Sequence, residues 1–222
     1  HIHLSETADE VKTCYEKHGQ SPIALMNELG VLDCGVLAAH CVHLSPDDIA
    51  LMAAKKVRVA HNPGSNMKLA SGIAPVPDLL AAGVVTALGT DGAASNNNLD
   101  MVEELRLAAL LHKVERLDPV VIPALTAVDM ATRQGALAAG LGDITGILAP
   151  GYRADITLFD MHAPHWYPRH NRLSLLTYAA AAADVHTVFV DGKILLDNRK
   201  LTTIDEEKLM AEVAQRGIRL VQ

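Results

Sequence analysis

Short apolar runs alternate with longer segments of helical character in the first 113 residues, and this alternation limits the fold more than any other feature. The runs cover residues 1–4, 35–42, 57–61 and 83–90. The helical segments cover residues 6–18, 22–29, 46–54, 75–82 and 99–113. Nearly continuous apolar strands that are separated by helices are typical of a parallel sheet covered on both faces. The sequence therefore predicts a series of β/α units.

The starts of the predicted helices are well marked. Ser21-Pro22 and Ser45-Pro46 each combine an N-cap residue with a proline in the first turn, and Asp48 stands at capping-box spacing from Ser45. A further pair of helices is predicted within residues 119–139. Four β/α units cannot close a barrel, which requires eight. From this pattern alone, a small open α/β sheet remains an alternative.

The pattern changes after Gly142. Strands are predicted over residues 144–148, 154–159, 187–190 and 193–196. Asp191-Gly192 between the last two strands is typical of a tight hairpin turn. An amphipathic helix is predicted over residues 205–220. We therefore divide the chain into a β/α part (1–142), a β part (143–204) and a C-terminal helix (205–222).

Composition excludes several classes of function. The 222 residues are 50% hydrophobic, and they carry a formal net charge of −7 and only seven aromatic side chains. An acidic chain with few aromatic residues is not expected to bind nucleic acid. No apolar run approaches the roughly 20 residues of a membrane span. Three cysteines without a CxxC pair indicate reduced thiols, so we expect a cytoplasmic protein. The first residue is His1 rather than Met, so a targeting segment upstream remains open.

Polar side chains occur where the predicted parallel strands end. His3 and Glu6 come with the first run, His40 ends the second, and Asp91 follows the fourth. His1 faces the same side of its strand as His3, so alternation distinguishes the two only weakly. The carboxyl ends of parallel strands commonly carry the active site.

These residues have the chemistry of a hydrolytic metal site, but the set is incomplete. Imidazole and carboxylate are the usual ligands of zinc, and catalytic zinc normally has three protein ligands. His3 and Asp91 alone are too few, so part of the ligand set is predicted to lie elsewhere. The structural alternative is a histidine satisfied within the core and an aspartate that caps a helix.

Six stretches of the chain form recognisable motifs: HIHLSET at 1–7, AHCVHL at 39–44, HNPGSNMKLASG at 61–72, GTDGAASNN at 89–97, GYRADI at 151–156 and VDGK at 190–193. Together they resemble the amidohydrolase superfamily, in the branch that holds methylthioadenosine/S-adenosylhomocysteine deaminases and chlorohydrolase-like enzymes. The resemblance implies strands five to eight of a (β/α)8 TIM-type barrel, followed by the C-terminal strands of a small β-sandwich domain.

The resemblance also implies roles for the strand-end residues. His3 and Asp91 match metal ligands, and two further histidine ligands are expected upstream of this chain. Glu6 matches the acid/base that contacts the purine ring, His40 the histidine that orients the attacking hydroxide, and Asp91 also a proton acceptor that contacts substrate. Asn66 and Ser95 are expected to support Asp91. One divalent ion is implied, with zinc as the default and iron or manganese as alternatives.

The implied reaction is hydrolytic deamination of a small purine nucleoside, S-adenosylhomocysteine or 5'-methylthioadenosine. Deamination or dechlorination of another heterocycle, such as guanine or a triazine, stays open, as does a homo-oligomer. The resemblance further implies that these 222 residues are inactive alone, and that they aggregate or seek a partner through exposed apolar faces. For the histidines at 43, 61, 112, 162, 165 and 170 we expect no catalytic role.

Overall fold

The structure is a computed structural model that describes residues 1–221, and it contains two separate four-stranded sheets. The first sheet is parallel, in the order β1 (Ile2–Leu4), β2 (Leu37–His40), β3 (Arg58–His61) and β4 (Thr86–Leu88). The second is antiparallel, in the order β5 (Ile156–Phe159), β6 (Val185–Val190), β7 (Lys193–Asp197) and β8 (Lys200–Leu201). The predicted change from β/α units to β structure is confirmed.

Eleven α-helices accompany these sheets in the described residues. Around the parallel sheet lie α1 (Ala8–His18), α2 (Pro22–Glu28), α3 (Pro46–Ala54), α4 (Pro63–Lys68), α5 (Val76–Ala81), α6 (Ala93–Asn96), α7 (Met101–Arg116), α8 (Ala124–Ala131) and α9 (Arg133–Ala138). Helix α10 (Arg172–Tyr178) lies between β5 and β6, and α11 (Glu206–Val221) follows β8. All the predicted helices are present, whereas α4, α6 and α10 were not predicted.

Helices α2 and α3 begin as their sequences predict. The Ser45 hydroxyl accepts a hydrogen bond from the Asp48 amide at 3.1 Å, and the Asp48 carboxylate accepts one from the Ser45 amide at 2.9 Å. Ser21 caps α2 through the Ala24 amide and also donates to Asp48. These contacts satisfy donors that a helix leaves unpaired at its start. They also join α2 to α3 on one face of the sheet.

Two apolar clusters hold the β/α part together. One packs Ile23, Met52 and Leu79 from α2, α3 and α5 against Val59 of β3, and all four side chains are buried. The other lies among α5, α7 and α8, around Leu105. Burial of one such aliphatic side chain stabilises the fold by about 1.5–3 kcal/mol. The strands are therefore fixed between helices, as the apolar runs predict.

The order of the parallel sheet is sequential, since each strand pairs with the next one along the chain. A doubly wound open sheet reverses its strand order at a switch point, and the described residues contain no such reversal. The sheet is therefore not doubly wound, but it is open in the described residues, as in the open-sheet alternative. Strands β1 and β4 are the two edges of the sheet.

One predicted strand is wrong. Residues 144–148 form turns and irregular structure rather than a strand. Their apolar side chains do not pack on a sheet, since Ile144 is 37% and Leu148 79% exposed. The hairpin at Asp191-Gly192 is confirmed, because both residues have the positive φ, 51° and 76°, that a type I′ turn requires.

Helix α11 has every residue exposed along its described length. Across residues 1–221, no helix has both the length and the apolar character that a membrane crossing requires.

Candidate metal and catalytic site

The carboxyl ends of the parallel strands present the polar residues together. His40 and Asp91 have φ of 71° and 61°, and Ser5, which precedes Glu6, has φ of 53°. A left-handed backbone is unusual for residues other than glycine and costs on the order of 1–3 kcal/mol at each position. Such strain is concentrated at functional sites. The ends of β1, β2 and β4 form the candidate site, because they combine these conformations with polar side chains at the carboxyl ends of parallel strands, where active sites commonly lie.

Three side chains with ligand atoms meet at this edge. His3, His40 and Asp91 each offer one ligand atom, and these atoms lie within 4.8 Å of one another. The rings of His3 and His40 are stacked, with centroids 4.9 Å apart, and His40 Nε2 lies 4.0 Å from Asp91 Oδ2. The ring of His1 stacks 6.3 Å from that of His3 and is outside the cluster. Geometry thus selects His3 rather than His1, which the strand pattern alone could not do.

Glu6 lies beside the cluster and is held from two directions. Its Oε2 is 3.8 Å from His40 Nε2, and Ser71 Oγ donates to its Oε1 at 3.4 Å. The Glu10 carboxylate accepts hydrogen bonds from the amides of Ser5 and Glu6, at 2.8 and 2.7 Å. Glu10 therefore fixes the turn on which Glu6 stands. It is a residue that sequence reasoning missed, although its spacing from Thr7, the N-cap of α1, was visible in the sequence.

Asp91 is held as a carboxylate. Ser65 Oγ donates to its Oδ2 and the Gly92 amide to its Oδ1, both at 2.7 Å. Burial alone would raise the pKa of Asp91. The hydrogen bond from Ser65 opposes this most, followed by the hydrogen bond from the Gly92 amide, the electrostatic effect of the nearby His40 ring and the hydrogen bond from Ser95, and together they hold the pKa below its usual value. The expected support of Asp91 by Ser95 is consistent with this, whereas Ser65 was not predicted.

His40 is almost fully buried, and its second ring nitrogen is occupied. Its Nδ1 lies 2.8 Å from Oδ1 of Asn66, and both residues are 1% exposed. The expectation that Asn66 supports Asp91 is wrong, because its oxygen is used by His40 instead. Nε2 is the nitrogen of His40 that faces Glu6 and Asp91.

A second buried pair of histidines lies away from the cluster. His61 Nε2 is 3.3 Å from His112 Nε2, and both side chains are fully buried. Burial is the main cause that lowers the pKa of both, to about 4 for His112, so both rings are neutral at pH 7. His43 Nε2 contacts the Ser71 carbonyl at 2.7 Å. None of these three belongs to the metal-type cluster of the described residues.

The histidines of the segment between β5 and β6 also lie outside the cluster. His162 and His165 contact Asp160 and Asp184 at the surface, with side chains that are 84% and 40% exposed, and His170 is exposed. No group of three metal-type ligands forms there within residues 1–221. These three histidines therefore lie at the surface of the described structure.

The cluster suits a divalent ion with nitrogen and oxygen ligands. Two imidazoles and a carboxylate are the donors that zinc accepts, and the spread of their atoms is compatible with one shared cation. Asp91 has a lowered pKa, and a deprotonated carboxylate is the form that binds metal. His3 is the exposed member of the cluster.

Comparison with known proteins places the chain in a family. Residues 1–195 match the model of the amidohydrolase family. The chain belongs to the amidohydrolase family. A 5-methylthioadenosine/S-adenosylhomocysteine deaminase from Pelotomaculum thermopropionicum is 52% identical over 221 residues, which is all of this chain but 51% of that protein. This amidohydrolase chain therefore spans about half the length of the curated relatives it matches.

Solved structures of amidohydrolase-type enzymes show the same arrangement of elements. An adenosine deaminase from Xanthomonas campestris with bound zinc superposes with a TM-score of 0.95 at 40% identity, over 98% of this chain and 49% of that one. An atrazine chlorohydrolase from Arthrobacter aurescens complexed with zinc gives 0.88 at 27% identity, over 96% and 47%. The mixed α/β architecture described above is therefore an amidohydrolase fold.

Proposed function

We propose that this chain supplies part of the active site of a metal-dependent deaminase that acts on an adenine nucleoside, within a protein longer than these 222 residues. The substrate is S-adenosylhomocysteine or 5'-methylthioadenosine, and the products are the inosyl compound and ammonia. The observation that carries the proposal is the meeting of His3, His40 and Asp91 at the carboxyl ends of parallel strands. The 52% identity to a protein named for this reaction supports the choice of substrate.

The proposed architecture is the second half of a (β/α)8 barrel in residues 1–142. Residues 143–204 would contribute strands of a small β-sandwich, and the C-terminal part (205–222), whose last residue lies outside the described residues, a closing helix. Sequential parallel strands with two open edges support this proposal, as does a superposition that covers half of a zinc-bound adenosine deaminase. Upstream strands would pair with the edges β1 and β4.

His3 and Asp91 are the proposed metal ligands of this chain, with the remaining ligands upstream. The zinc in two similar structures supports zinc here, although iron and manganese accept the same donors. When bound, the ion supplies Lewis-acid activation of a water molecule at neutral pH. His40 Nε2 faces the same space and would orient the attacking water by a hydrogen bond.

The proton transfers fall to Asp91 and Glu6. Asp91 has a lowered pKa, so it is ionised and can accept a proton from the attacking water. As oxygen adds to C6 of adenine, protonated Glu6 donates to the adjacent ring nitrogen and neutralises the charge that develops there. Asp91 then returns its proton to the amino group, and the C6–N bond breaks to release ammonia. The remaining hydroxyl proton restores protonated Glu6 as the carbonyl forms.

A second candidate is hydrolysis of another heterocycle. It is favoured by the likeness to an atrazine chlorohydrolase, which has the same elements at 27% identity. The same His3, Glu6, His40 and Asp91 would serve attack on a triazine carbon that bears chloride. The higher identity to the deaminase ranks this candidate second.

The test is a substrate panel on the complete protein loaded with zinc. We expect ammonia release from S-adenosylhomocysteine or 5'-methylthioadenosine, with kcat/KM above that for guanine or a chlorotriazine. Turnover of the triazine alone would replace the first candidate by the second. The isolated 222 residues assayed with zinc are the matched control and should give no deamination. Enzyme-like rates from them would contradict the proposal that the site is shared with an upstream half.

A further inference from the structure

We propose that Asn66 is a positioning residue for His40, an inference that rests on the deamination proposed above. Asn66 Oδ1 lies 2.8 Å from His40 Nδ1, and both residues are 1% exposed. Water is therefore excluded from this contact, and the two side chains must satisfy each other.

The contact determines which nitrogen of His40 faces the site. An amide oxygen can only accept a hydrogen bond, so Nδ1 carries the proton and donates it. In the neutral ring Nε2 then has a free lone pair. This atom lies 3.8 Å from Glu6 Oε2 and 4.0 Å from Asp91 Oδ2. Asn66 thus fixes both the orientation of the ring and an acceptor aimed at the attacking water.

Asn66 is itself held rigidly on helix α4. The Gly64 amide donates to the buried carboxylate of Glu104 at 2.9 Å. A Cβ at Gly64 would stand 2.2 Å from that carboxylate, so this close approach requires glycine. Ser65, the preceding residue, donates to Asp91. Two consecutive residues of one anchored helix therefore hold His40, at the end of β2, and Asp91, which follows β4.

The unpaired side-chain nitrogen of Asn66 argues against a purely structural role for this residue. Its side-chain nitrogen is buried and has no hydrogen-bond partner among residues 1–221. An unpaired buried amide group destabilises a fold, so a residue needed only for packing would be better apolar. An asparagine at this position is needed for its side-chain oxygen, and among the described contacts that oxygen accepts a hydrogen bond only from His40.

The test records the protonation of the His40 ring in the complete protein. Long-range ¹H–¹⁵N spectra of ¹⁵N-histidine-labelled protein report which ring nitrogen carries hydrogen, and His40→Gln assigns the signal. We expect protonation at Nδ1 in the wild type. Asn66→Leu removes the acceptor, so the spectrum should shift toward the other tautomer and kcat should fall by about 10- to 100-fold with metal content and KM little changed. Asn66→Asp keeps an acceptor oxygen and should keep Nδ1 protonated, with kcat closer to the wild type.

Ser65→Ala is the matched control on the same helix. It removes the contact to Asp91 and should leave the His40 spectrum as in the wild type. Protonation at Nε2 in the wild type, or an unchanged spectrum and kcat in Asn66→Leu, would overturn the proposal. If Asn66→Leu does not fold, the wild type and Asn66→Asp decide the matter, since loss of Nδ1 protonation in either contradicts it. The spectra do not depend on turnover, so failure of the deaminase assay is distinguishable from failure of this inference.

Discussion

At the scale of single residues, the site depends on side chains that hold a left-handed backbone in place. Ser5 has φ of 53°, and the Glu10 carboxylate accepts hydrogen bonds from the amides of Ser5 and Glu6. Hydrogen bonds to a charged group contribute about 1.5–3 kcal/mol. This is comparable with the cost of about 1–3 kcal/mol for the strained conformation. Glu10 therefore offsets the strain that places Glu6 beside His40.

Glu10→Gln should loosen the turn that carries Glu6. The glutamine side chain has only one acceptor oxygen, so its NH2 group would face one of the two backbone N–H groups that now donate to Glu10, over 2.8 and 2.7 Å. We expect the free energy of unfolding to fall by about 2 kcal/mol and kcat to fall with it. Denaturant unfolding and steady-state kinetics measure the two effects.

Glu16→Gln on the same helix is the control for Glu10. Glu16 forms a surface pair with Lys12 at 3.9 Å, with side chains 65% and 72% exposed, and such pairs contribute little. Equal stability losses in the two variants would show that Glu10 acts only as a helix charge.

Residue roles were only partly predictable from the sequence. His3, Glu6, His40 and Asp91 could be singled out, because polar residues at strand ends and the family motifs indicate chemistry. Asn66 could not be assigned, since it stands 26 residues after His40 and 25 before Asp91. Only the fold shows which of the two it contacts.

At the scale of elements, prediction succeeded where burial and sequence pattern agree. The four apolar runs of the β/α part are the four parallel strands. Residues 144–148 also look apolar, yet they lie in turns and bends. Their prediction as a strand failed because a local pattern does not distinguish an apolar surface loop from a strand. Helix α4 was missed because Pro63-Gly64 indicates a turn. Its amide at Gly64 is satisfied by Glu104, which is distant in the sequence.

The buried contact between His61 of β3 and His112 of α7 should make the free energy of unfolding depend on pH. The pKa of His112 lies at about 4 in the fold against 6.5 unfolded. A lowered folded pKa gives stability that is present above pH 6.5 and lost as the pH falls toward 4, since the unfolded chain then binds the proton first. His112→Gln should therefore make the loss of unfolding free energy between pH 7 and pH 5 smaller by about 2 kcal/mol.

Urea unfolding of the complete protein at both pH values measures this effect, with His170→Gln as the exposed control. An unchanged pH dependence in His112→Gln would contradict the prediction, because it would mean that folding does not lower the pKa of His112.

At the scale of the whole molecule, the chain exposes many large apolar side chains. Examples are Val114 at 74%, Leu117 at 89%, Leu148 at 79% and Leu220 at 86% exposed. Large apolar patches are typical of interaction surfaces or aggregation. The composition and runs alone predicted only β/α units. The proposals of an eight-stranded barrel and of further ligands upstream rest on the family motifs, because four β/α units carry no signal of how many strands a complete sheet would have.

The isolated 222 residues should therefore not behave as a clean monomer. We expect elution as oligomers or aggregates in size-exclusion chromatography, and recovery of a defined species when the upstream half is supplied. A stable, sharply eluting monomer would count against the half-barrel proposal.

The most direct test of the account is the metal content of His3→Ala and His1→Ala in the complete protein. The two histidines lie on the same strand face, but only His3 belongs to the cluster with His40 and Asp91. We expect that His3→Ala loses both the metal and turnover, whereas His1→Ala keeps its metal. A His3→Ala protein with a full complement of metal and the wild-type rate would contradict it.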